Sequence, residues 1–321
     1  MRTRGVVAVG ASAGGVEALK DMAGGLPPDL PYAVLVTLHM SAGAPSVLAA
    51  IIDRSGPLPA VAARDGESLD AGRIYVAVPD RHLLVDDHRC VLSQGPTENR
   101  HRPAINALFR STALQFGPRA IGVLLSGVLD DGVLGLGAIR SRGGTAVVQE
   151  PSDAMFTGMP LNAIAHGHAD HRAAAADIGP LLARLADRRV EERHTEPDPQ
   201  MELENRIAMS GRFSTDVDGD ALGPAAGYSC PDCNGSLLTV STGNYRCRVG
   251  YAWTAAALLA AQDQEFEGAL WVALRSLQEK AKLSRTLADQ AGHGAAYARY
   301  TDMADQAEHA CKVLSAKLTH P

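Results

Sequence analysis

Short apolar runs alternate with amphipathic stretches over the first 188 residues. The runs are apolar at nearly every position, which is typical of strands buried on both faces of a parallel sheet. Strands are predicted at residues 6–9, 33–38, 74–78, 121–125 and 145–148, helices at 16–22 and 106–116, and a hairpin at 83–92. This alternation predicts an α/β fold with a doubly wound, mostly parallel sheet.

The pattern changes after this first region, 1–188. A charged stretch with two prolines and no apolar period opens a predicted linker over 189–226. A small ribbon-like segment with three cysteines follows at 227–253, and a helical hairpin at 254–321, broken by the glycines at 292 and 294. The apolar stripes of its two helices are Phe266, Leu270, Leu274, Leu277 and Ala281, and Tyr300, Ala304, Ala307, Cys311, Leu314 and Leu318.

Charge and composition argue against a nucleic-acid-binding, membrane-inserted or secreted protein. The 321 residues carry a formal net charge of −6, so the chain has no basic field to hold nucleic acid. The longest apolar region, 120–139, has Asp130 and Asp131 at its centre, which argues against membrane insertion. No signal peptide opens the chain, and its five unevenly spaced cysteines do not resemble a secreted disulfide framework. We therefore expect a cytoplasmic protein.

A glycine-rich turn follows the first predicted strand and contains Ser12. Residues 10–14 match G-x-S-x-G, in which small neighbours let a serine occupy a sharp strand-to-helix turn with its hydroxyl exposed. The amides that follow, with the helix dipole, can stabilise an oxyanion. The alternatives are a plain connecting turn or a phosphate-binding loop. The dinucleotide fingerprint fails, because Ser12 stands where its second glycine is required.

A histidine and an aspartate follow two other predicted strands. His39 directly follows the second strand, and Asp131 lies in the loop after the strand at 121–125. In a parallel sheet these loops gather at one edge, so Ser12, His39 and Asp131 together predict a nucleophile, a base and an orienting carboxylate. Taken singly, His39 could be a core histidine and Asp131 a helix N-cap.

Several segments together make a family resemblance. They are residues 10–15, 38–40, 77–82, 99–103, 126–132, 150–154 and 158–160. In this order they resemble the catalytic domain of the chemotaxis receptor methylesterase (CheB) family, over residues 5 to about 188. The resemblance implies Ser12, His39 and Asp131 as the catalytic triad and the backbone N–H groups of Ala13 and Val128 as the oxyanion hole. It implies hydrolysis of glutamate γ-methyl esters on chemotaxis-type receptors, often with glutamine deamidation, and no cofactor for catalysis.

The chain departs from the family pattern at three places. Ala13 replaces the usual threonine, and Leu129 replaces a glycine in the loop that carries Asp131. The five residues before Val6 leave no room for a receiver domain, so we do not expect control by a fused receiver. The departures favour an alternative function, a catalytically weak or inactive sensory adaptor on the same fold, whereas the retained triad favours the enzyme.

Cys230, Cys233 and Cys247 have the spacing of a zinc ribbon that lacks its fourth ligand. The segment resembles a module appended to receiver-less relatives of the family, in which histidine commonly stands at the position of Tyr251. The alternatives are zinc bound by the three cysteines and a metal-free module held by aromatic packing, and the missing fourth ligand predicts weak zinc binding or none. The helical hairpin could mediate self-association through its apolar stripes.

Overall fold

The computed structural model describes residues 3–43, 45–188, 190, 196–211 and 219–319. The chain divides into two compact units, Met1–Ala257 and Leu258–Pro321. The first unit therefore extends well past residue 188, where the change in sequence pattern predicts the end of the α/β domain. It contains the sheet, the candidate site and the cysteine segment.

A parallel sheet forms the centre of the first unit. The strands of its first 173 residues are β1 (Val6–Ala11), β2 (Ala33–Leu38), β3 (Ala60–Ala62), β4 (Ile74–Val76), β5 (His82–Asp86), β6 (Arg89–Ser93), β7 (Ala120–Leu124), β8 (Thr145–Gln149) and β9 (His171–Ala173). In the described part of the chain, seven of them form one sheet in the order β3-β4-β2-β1-β7-β8-β9, with every neighbouring pair parallel. The predicted α/β fold with a parallel sheet is confirmed.

Helices cover both faces of the sheet. Those of the first 186 residues are α1 (Gly15–Gly24), α2 (Leu48–Asp53), α3 (Ile105–Phe116), α4 (Val133–Ser141), α5 (Gly158–Ala165) and α6 (Ala175–Ala186). Alternate residues of β1 enter two separate cores: Val7 and Val9 pack with α1, α2 and α6, and Val6 and Ala8 with α3, α4, α5 and the β5–β6 hairpin. Burial on both faces explains why the strand sequences are apolar without alternation.

The predicted linker contains a packed helix, so this prediction is wrong for that stretch. Helix α7 (Pro199–Met209) contacts α3 and β6, with Ile207 and Ala208 buried, and the short α8 (Gly219–Leu222) follows. Because charged residues are among the buried positions of α7, the helix shows no clear apolar period in the sequence. A signal was nevertheless present: Asp198 caps the helix by accepting a hydrogen bond from Met201 N at 2.9 Å, and proline occupies the first turn.

The cysteine segment forms an antiparallel sheet. Its strands are β10 (Ala225–Ser229), β11 (Ser236–Ser241), β12 (Asn244–Cys247) and β13 (Ala252–Thr254), paired in chain order. Ala252 of β13 makes two backbone hydrogen bonds to the segment before α3. Its N–H donates to Thr97 O at 3.2 Å, and its carbonyl accepts from Asn99 N at 2.8 Å. The ribbon is thus joined by backbone hydrogen bonds to the segment before α3.

The second unit is the predicted helical hairpin. Helix α9 (Ala255–Ala291) and helix α10 (Ala295–Thr319) are separated at the glycine-containing break. Most of the predicted stripe positions are buried or half-buried, and Arg285 joins the helices through Glu308 and Asp305. Phe266 is the exception, because it is 62% exposed.

Among the helices of the described residues, none combines the length and apolarity that crossing a bilayer requires.

Candidate active site

Ser12 occupies the turn between β1 and α1, and Ser126 holds that turn from the neighbouring loop. The Ser12 N–H donates to Ser126 O at 2.9 Å, and the Ser126 hydroxyl donates to Ala13 O at 2.8 Å. Gly14 ends the turn with a φ of 69°, in the left-handed region that suits glycine. Hydrogen bonds to two consecutive residues therefore fix the backbone beneath the Ser12 side chain.

Strand pairing brings His39 to Ser12. Because Ala11 pairs with Leu38 in the parallel ladder, the residues that follow them leave the sheet side by side. The Nδ1 atom of His39 lies 3.0 Å from the Ser12 Oγ, within hydrogen-bond reach. The imidazole is largely enclosed, with 9% of its side chain exposed.

Asp131 completes a hydrogen-bonded chain from the other side of the imidazole. Its Oδ2 atom lies 2.7 Å from the Nε2 of His39 and accepts a second hydrogen bond from Ile105 N at 2.8 Å. Its Oδ1 accepts from Asn106 N at 3.3 Å. Both amides belong to the first turn of α3, where the helix dipole also favours a carboxylate.

The surroundings keep Asp131 ionised. Burial alone would raise the pKa of this carboxyl group, but the hydrogen bond and charge of His39 and the Ile105 amide outweigh it, so the pKa lies below its ordinary value. An ionised Asp131 accepts the Nε2 proton of His39. The Nδ1 atom is then left as the acceptor for the Ser12 hydroxyl. The arrangement can remove a proton from Ser12 and stabilise the imidazolium that forms.

His101 is a site residue to which the sequence prediction assigned no role. Its ring stacks on that of His39, with centroids 3.5 Å apart and planes 9° from parallel. Burial, together with the proximity of His39, lowers the pKa of His101 to about 4. The ring is therefore neutral at pH 7 and forms an uncharged wall behind the imidazole of His39. Its place in the segment 99–103 was the available signal, but stacking across two loops cannot be read from sequence.

The loop after β7 lies directly against Ser12. A Cβ atom added to Gly127 would stand 2.9 Å from the Ser12 Cβ and 2.1 Å from the Met159 Sδ, so this position has room only for glycine. Val128 follows immediately, and its side chain is exposed. On the other side, the Ala13 N–H donates no hydrogen bond within the described residues. Ala13 thus follows Ser12 in the chain, Val128 follows the glycine that lies against Ser12, and their role as an oxyanion hole stays a prediction.

Leu129 takes a left-handed backbone conformation, with a φ of 59°. This explains why glycine suits the position, since a Cβ atom is strained there. The Asn162 side chain donates to Leu129 O at 2.7 Å and steadies the loop. The loop still delivers Asp131 to His39, so the leucine is accommodated without displacing the carboxylate.

Comparisons with known proteins match the part of the chain that contains this site. Residues 7–182, more than half of the chain, match the model of the family described as CheB methylesterase. The chain belongs to the CheB methylesterase family. All three members of the Ser12–His39–Asp131 chain lie within the matched region.

Individual CheB relatives match a similar share of the chain. A protein-glutamate methylesterase/protein-glutamine glutaminase of Ralstonia nicotianae is 38% identical over 57% of this chain and 49% of its own. Protein-glutamate methylesterase/protein-glutamine glutaminase 3 of Anaeromyxobacter dehalogenans is 42% identical over 56% of this chain and 53% of its own. The chain thus spans about half the length of the curated relatives it matches.

A solved structure matches the same region. The crystal structure of the Thermotoga maritima CheB methylesterase catalytic domain aligns with a TM-score of 0.54 and 29% identity, covering 56% of this chain and 98% of that one. The CheB fold therefore accounts for the α/β part of the first unit, and α7 and the cysteine ribbon lie beyond the family match.

Parts of the molecule beyond the CheB match nevertheless reach the site. The Thr254 hydroxyl at the end of β13 donates to Asp130 Oδ1 at 2.7 Å, and Thr254 N donates to Asn99 Oδ1 at 2.8 Å. Asp130 and Asp131 therefore have separate partners, and Asp130 is bound to the ribbon. The guanidinium of Arg100 lies over the ring of Trp253, 5.4 Å from its centroid.

The three cysteines predicted as metal ligands lie together. Their sulfur atoms are all within 4.8 Å of one another, with 3.6 Å between those of Cys233 and Cys247. Cys230 and Cys247 are buried, and Cys233 is half-buried. Hydrogen bonding to Cys247, and then the N–H groups of Asp232, Trp253 and Cys233, lower the pKa of Cys230 against the effect of burial. Cys90, predicted as a small core residue, is buried in the core.

Proposed function

We propose that this chain hydrolyses glutamate γ-methyl esters on chemotaxis-type receptors through an acyl-enzyme. The observation that carries the proposal is the continuous hydrogen-bonded chain Ser12–His39–Asp131, in which one ring nitrogen faces the hydroxyl and the other the carboxylate. This is the arrangement that activates a serine for attack on a carbonyl carbon. The names of the CheB relatives supply the substrate class.

The proposed mechanism has two half-reactions. The Ser12 oxygen attacks the ester carbonyl while His39 Nδ1 takes its proton, and the backbone N–H groups of Ala13 and Val128 stabilise the oxyanion. Collapse of the tetrahedral intermediate expels methanol, which receives the proton from His39. Water then attacks the acyl-enzyme with His39 as base, which releases the glutamate carboxylate and regenerates Ser12. On a glutamine substrate the same steps release ammonia.

This chemistry uses side chains and backbone amides alone, so we expect no cofactor for catalysis. Zinc bound by the cysteines takes no part in ester hydrolysis in this proposal. A cytoplasmic location and the absence of nucleic-acid binding and membrane insertion belong to the same proposal. Because most positions of the apolar stripes are buried or half-buried within the hairpin, self-association would instead use exposed apolar side chains of α9, among them Trp271 and Val272.

An apolar rim beside Ser12 supports a protein substrate. The rim consists of Val128, Leu129, Met155, Phe156 and Leu161, each between 41% and 68% exposed. Gly14 of the Ser12 turn has no space for a Cβ atom because Met155 and Phe156 lie against it. Exposed apolar side chains grouped at a site are typical of surfaces that bind another protein.

The decisive test is methanol release from methylated receptor fragments. The wild-type chain should release methanol and should react with a fluorophosphonate, whereas Ser12→Ala should do neither. Ser141→Ala, which removes an exposed hydroxyl on α4, is the matched control and should behave as wild type. A folded wild-type chain that binds receptor fragments but releases no methanol would instead support the sensory adaptor.

The apolar rim has its own test. Phe156→Ala should raise the KM for a receptor fragment and leave kcat nearly unchanged, because the side chain contacts the protein substrate and not the reacting atoms. Hydrolysis of a small activated ester should be unaffected. Equal losses with the two substrates would show that Phe156 supports the Ser12 turn rather than the receptor.

A further inference from the structure

The cysteine cluster lies outside the CheB match and has no part in the proposed hydrolysis. A tetrahedral zinc site with zinc–sulfur bonds of about 2.3 Å separates its sulfur atoms by about 3.8 Å. The 3.6 Å between the sulfurs of Cys233 and Cys247 is close to this value, and Cys230 lies within 4.8 Å of both. All three are free cysteines, so no disulfide accounts for their convergence.

Two tight turns hold the sulfur atoms. In the first, between β10 and β11, Asn234 N donates to Cys230 O at 2.8 Å and Cys230 N donates to Gly235 O at 2.8 Å. In the second, after β12, Gly250 N donates to Cys247 O at 2.9 Å and Cys247 N to Tyr251 O at 3.0 Å. Pairing of Leu237 with Cys247 brings the turns together. The cluster is thus built by the backbone before any ion is bound.

Hydrogen-bond donors lie around the sulfur of Cys230. The backbone N–H groups of Asp232 and Cys233 act on the sulfur of Cys230, as does the indole N–H of Trp253. Trp253 is 1% exposed, and its indole N–H makes no hydrogen bond within the described ranges of the chain. Thiolates this close repel one another, and a bound cation removes that cost.

We propose that Cys230, Cys233 and Cys247 bind one zinc ion, whose fourth position is taken by water on the solvent side, beside the half-buried Cys233. Soft thiolate donors select a thiophilic cation over magnesium or calcium. Tyr251 adjoins the cluster through its backbone, whose carbonyl accepts from Cys247 N at 3.0 Å, but a phenol is not among the usual zinc ligands, which are thiolate, imidazole and carboxylate. The result is a three-thiolate site with one exchangeable position.

The zinc ion would also stabilise the contacts of the ribbon with the candidate active site. Cys247 and Tyr251 bracket the turn that leads into β13. This strand carries both Ala252, whose carbonyl accepts from Asn99 N, and Thr254, whose hydroxyl donates to Asp130. Binding free energy at such a site adds to the free energy of folding. Metal removal should therefore loosen β13 and the segment before α3, which includes His101.

Metal content of the purified full-length chain tests the site directly. After dialysis against a weak chelator, atomic emission should find one zinc per wild-type chain and none in Cys230→Ser or Cys247→Ser. Cys311→Ser, in the helical hairpin, is the matched control and should keep the metal. A wild-type chain without zinc, or a Cys247→Ser chain with unchanged zinc, would overturn the proposal.

Because a ligand variant can fail to fold, a titration of the wild-type chain provides an independent measurement. Cobalt added to the demetallated chain should give a thiolate-to-metal charge-transfer band at one equivalent, and zinc should displace it and raise the thermal midpoint. Tyr251→Phe should give the same band, and Tyr251→His should bind zinc more tightly. A thiol count two short of five in the freshly purified chain would indicate a disulfide and would contradict the site.

Discussion

Asp130 and Asp131 are adjacent in the chain but have different hydrogen-bond partners and opposite pKa shifts. Asp131 is bonded to His39 Nε2 and to two amides of α3, whereas Asp130 is bonded to the hydroxyl of Thr254. Burial raises the pKa of Asp130, while the partners of Asp131 lower its pKa. Only Asp131 can fix the proton of His39 on the nitrogen that faces away from Ser12.

We expect Asp131→Asn to lower kcat for ester hydrolysis far more than Asp130→Asn does. The equivalent change in serine proteases costs about 10⁴ in turnover, because the histidine takes the wrong tautomer. Asp130→Asn keeps an acceptor for Thr254 and should have a small effect. The measurement is methanol release by both variants, with thermal midpoints compared to exclude unfolding. Equal losses would mean that Asp131 does not act through His39.

The left-handed conformation of Leu129 predicts a stabilising substitution. Leu129→Gly removes the strain of a Cβ atom at positive φ, which costs about 1–2 kcal/mol, and increases the entropy of the unfolded chain. Because the leucine side chain is 42% exposed, little buried area is lost. The free energy of unfolding should rise by up to about 1 kcal/mol in urea denaturation. Val128→Gly, at a neighbouring position without positive φ, should lower it instead.

At the scale of elements, a buried ion cluster joins α3, α7 and β12. Glu98 accepts from Arg110 at 2.5 Å and from Arg246 at 3.0 Å, and Arg246 also reaches Glu204 of α7 at 3.1 Å. Arg246 is wholly buried. Two arginines balance two glutamates, so the cluster is neutral although each charge is enclosed. It connects the CheB fold to the elements that follow it.

The cluster predicts a loss of stability in acid. Burial alone would raise the pKa of Glu98, but Arg110 and Arg246 outweigh it and lower the pKa from 4.5 to about 2. The stabilisation is present above the ordinary pKa and is lost as the pH falls through the folded-state value. It amounts to something on the order of 3 kcal/mol. Urea denaturation from pH 6 to pH 2 should show this loss in wild type.

Glu98→Gln should reduce the loss of stability in acid, which is the acid limb of a plot of unfolding free energy against pH. It should also lower the stability at pH 7, since it leaves two buried arginines with one glutamate. Glu17→Gln is the matched control. The Glu17 side chain is 61% exposed in its pair with Lys20, and the change should leave both the stability at neutral pH and the acid limb close to wild type. An unchanged acid limb in Glu98→Gln would show that other carboxylates cause the loss.

At the scale of the whole molecule, the CheB fold is stabilised by elements that lie beyond it in sequence. The first compact unit runs to Ala257. It includes α7, whose Ala208 carbonyl accepts from the Ser93 hydroxyl, and the ribbon, whose Thr254 binds Asp130. A division of the chain at residue 188 would remove all of these contacts.

Truncation tests this view of the molecule. A chain of residues 1–257 should keep the kcat of the full-length protein in methanol release, because every residue of the proposed mechanism and its supports is present. A chain of residues 1–188 should have a lower thermal midpoint and lower activity, because Glu98 and Arg110 lose Arg246 and Glu204. Equal stability and activity of the two fragments would show that α7 and the ribbon contribute to neither.

The sequence by itself determined the parallel sheet and the placement of the three candidate residues at its edge. Both follow from local information: uninterrupted apolar runs mark strands buried on two faces, and parallel strands end at a common edge. Residues 33–38, for example, form β2 as predicted. The helical hairpin could also be predicted from the sequence, because its apolar stripes repeat at helical spacing.

Tertiary structure decided what depends on contacts between distant segments. The stacking of His101 on His39, the bond from Thr254 to Asp130 and the packing of α7 join residues 60 to more than 120 positions apart, and none leaves a period in the sequence. The charged residues of α7 resemble a linker until their partners in α3 and β12 are known. The convergence of the cysteines likewise required the pairing of β11 with β12, since spacing alone states which ligands are available but not that they meet.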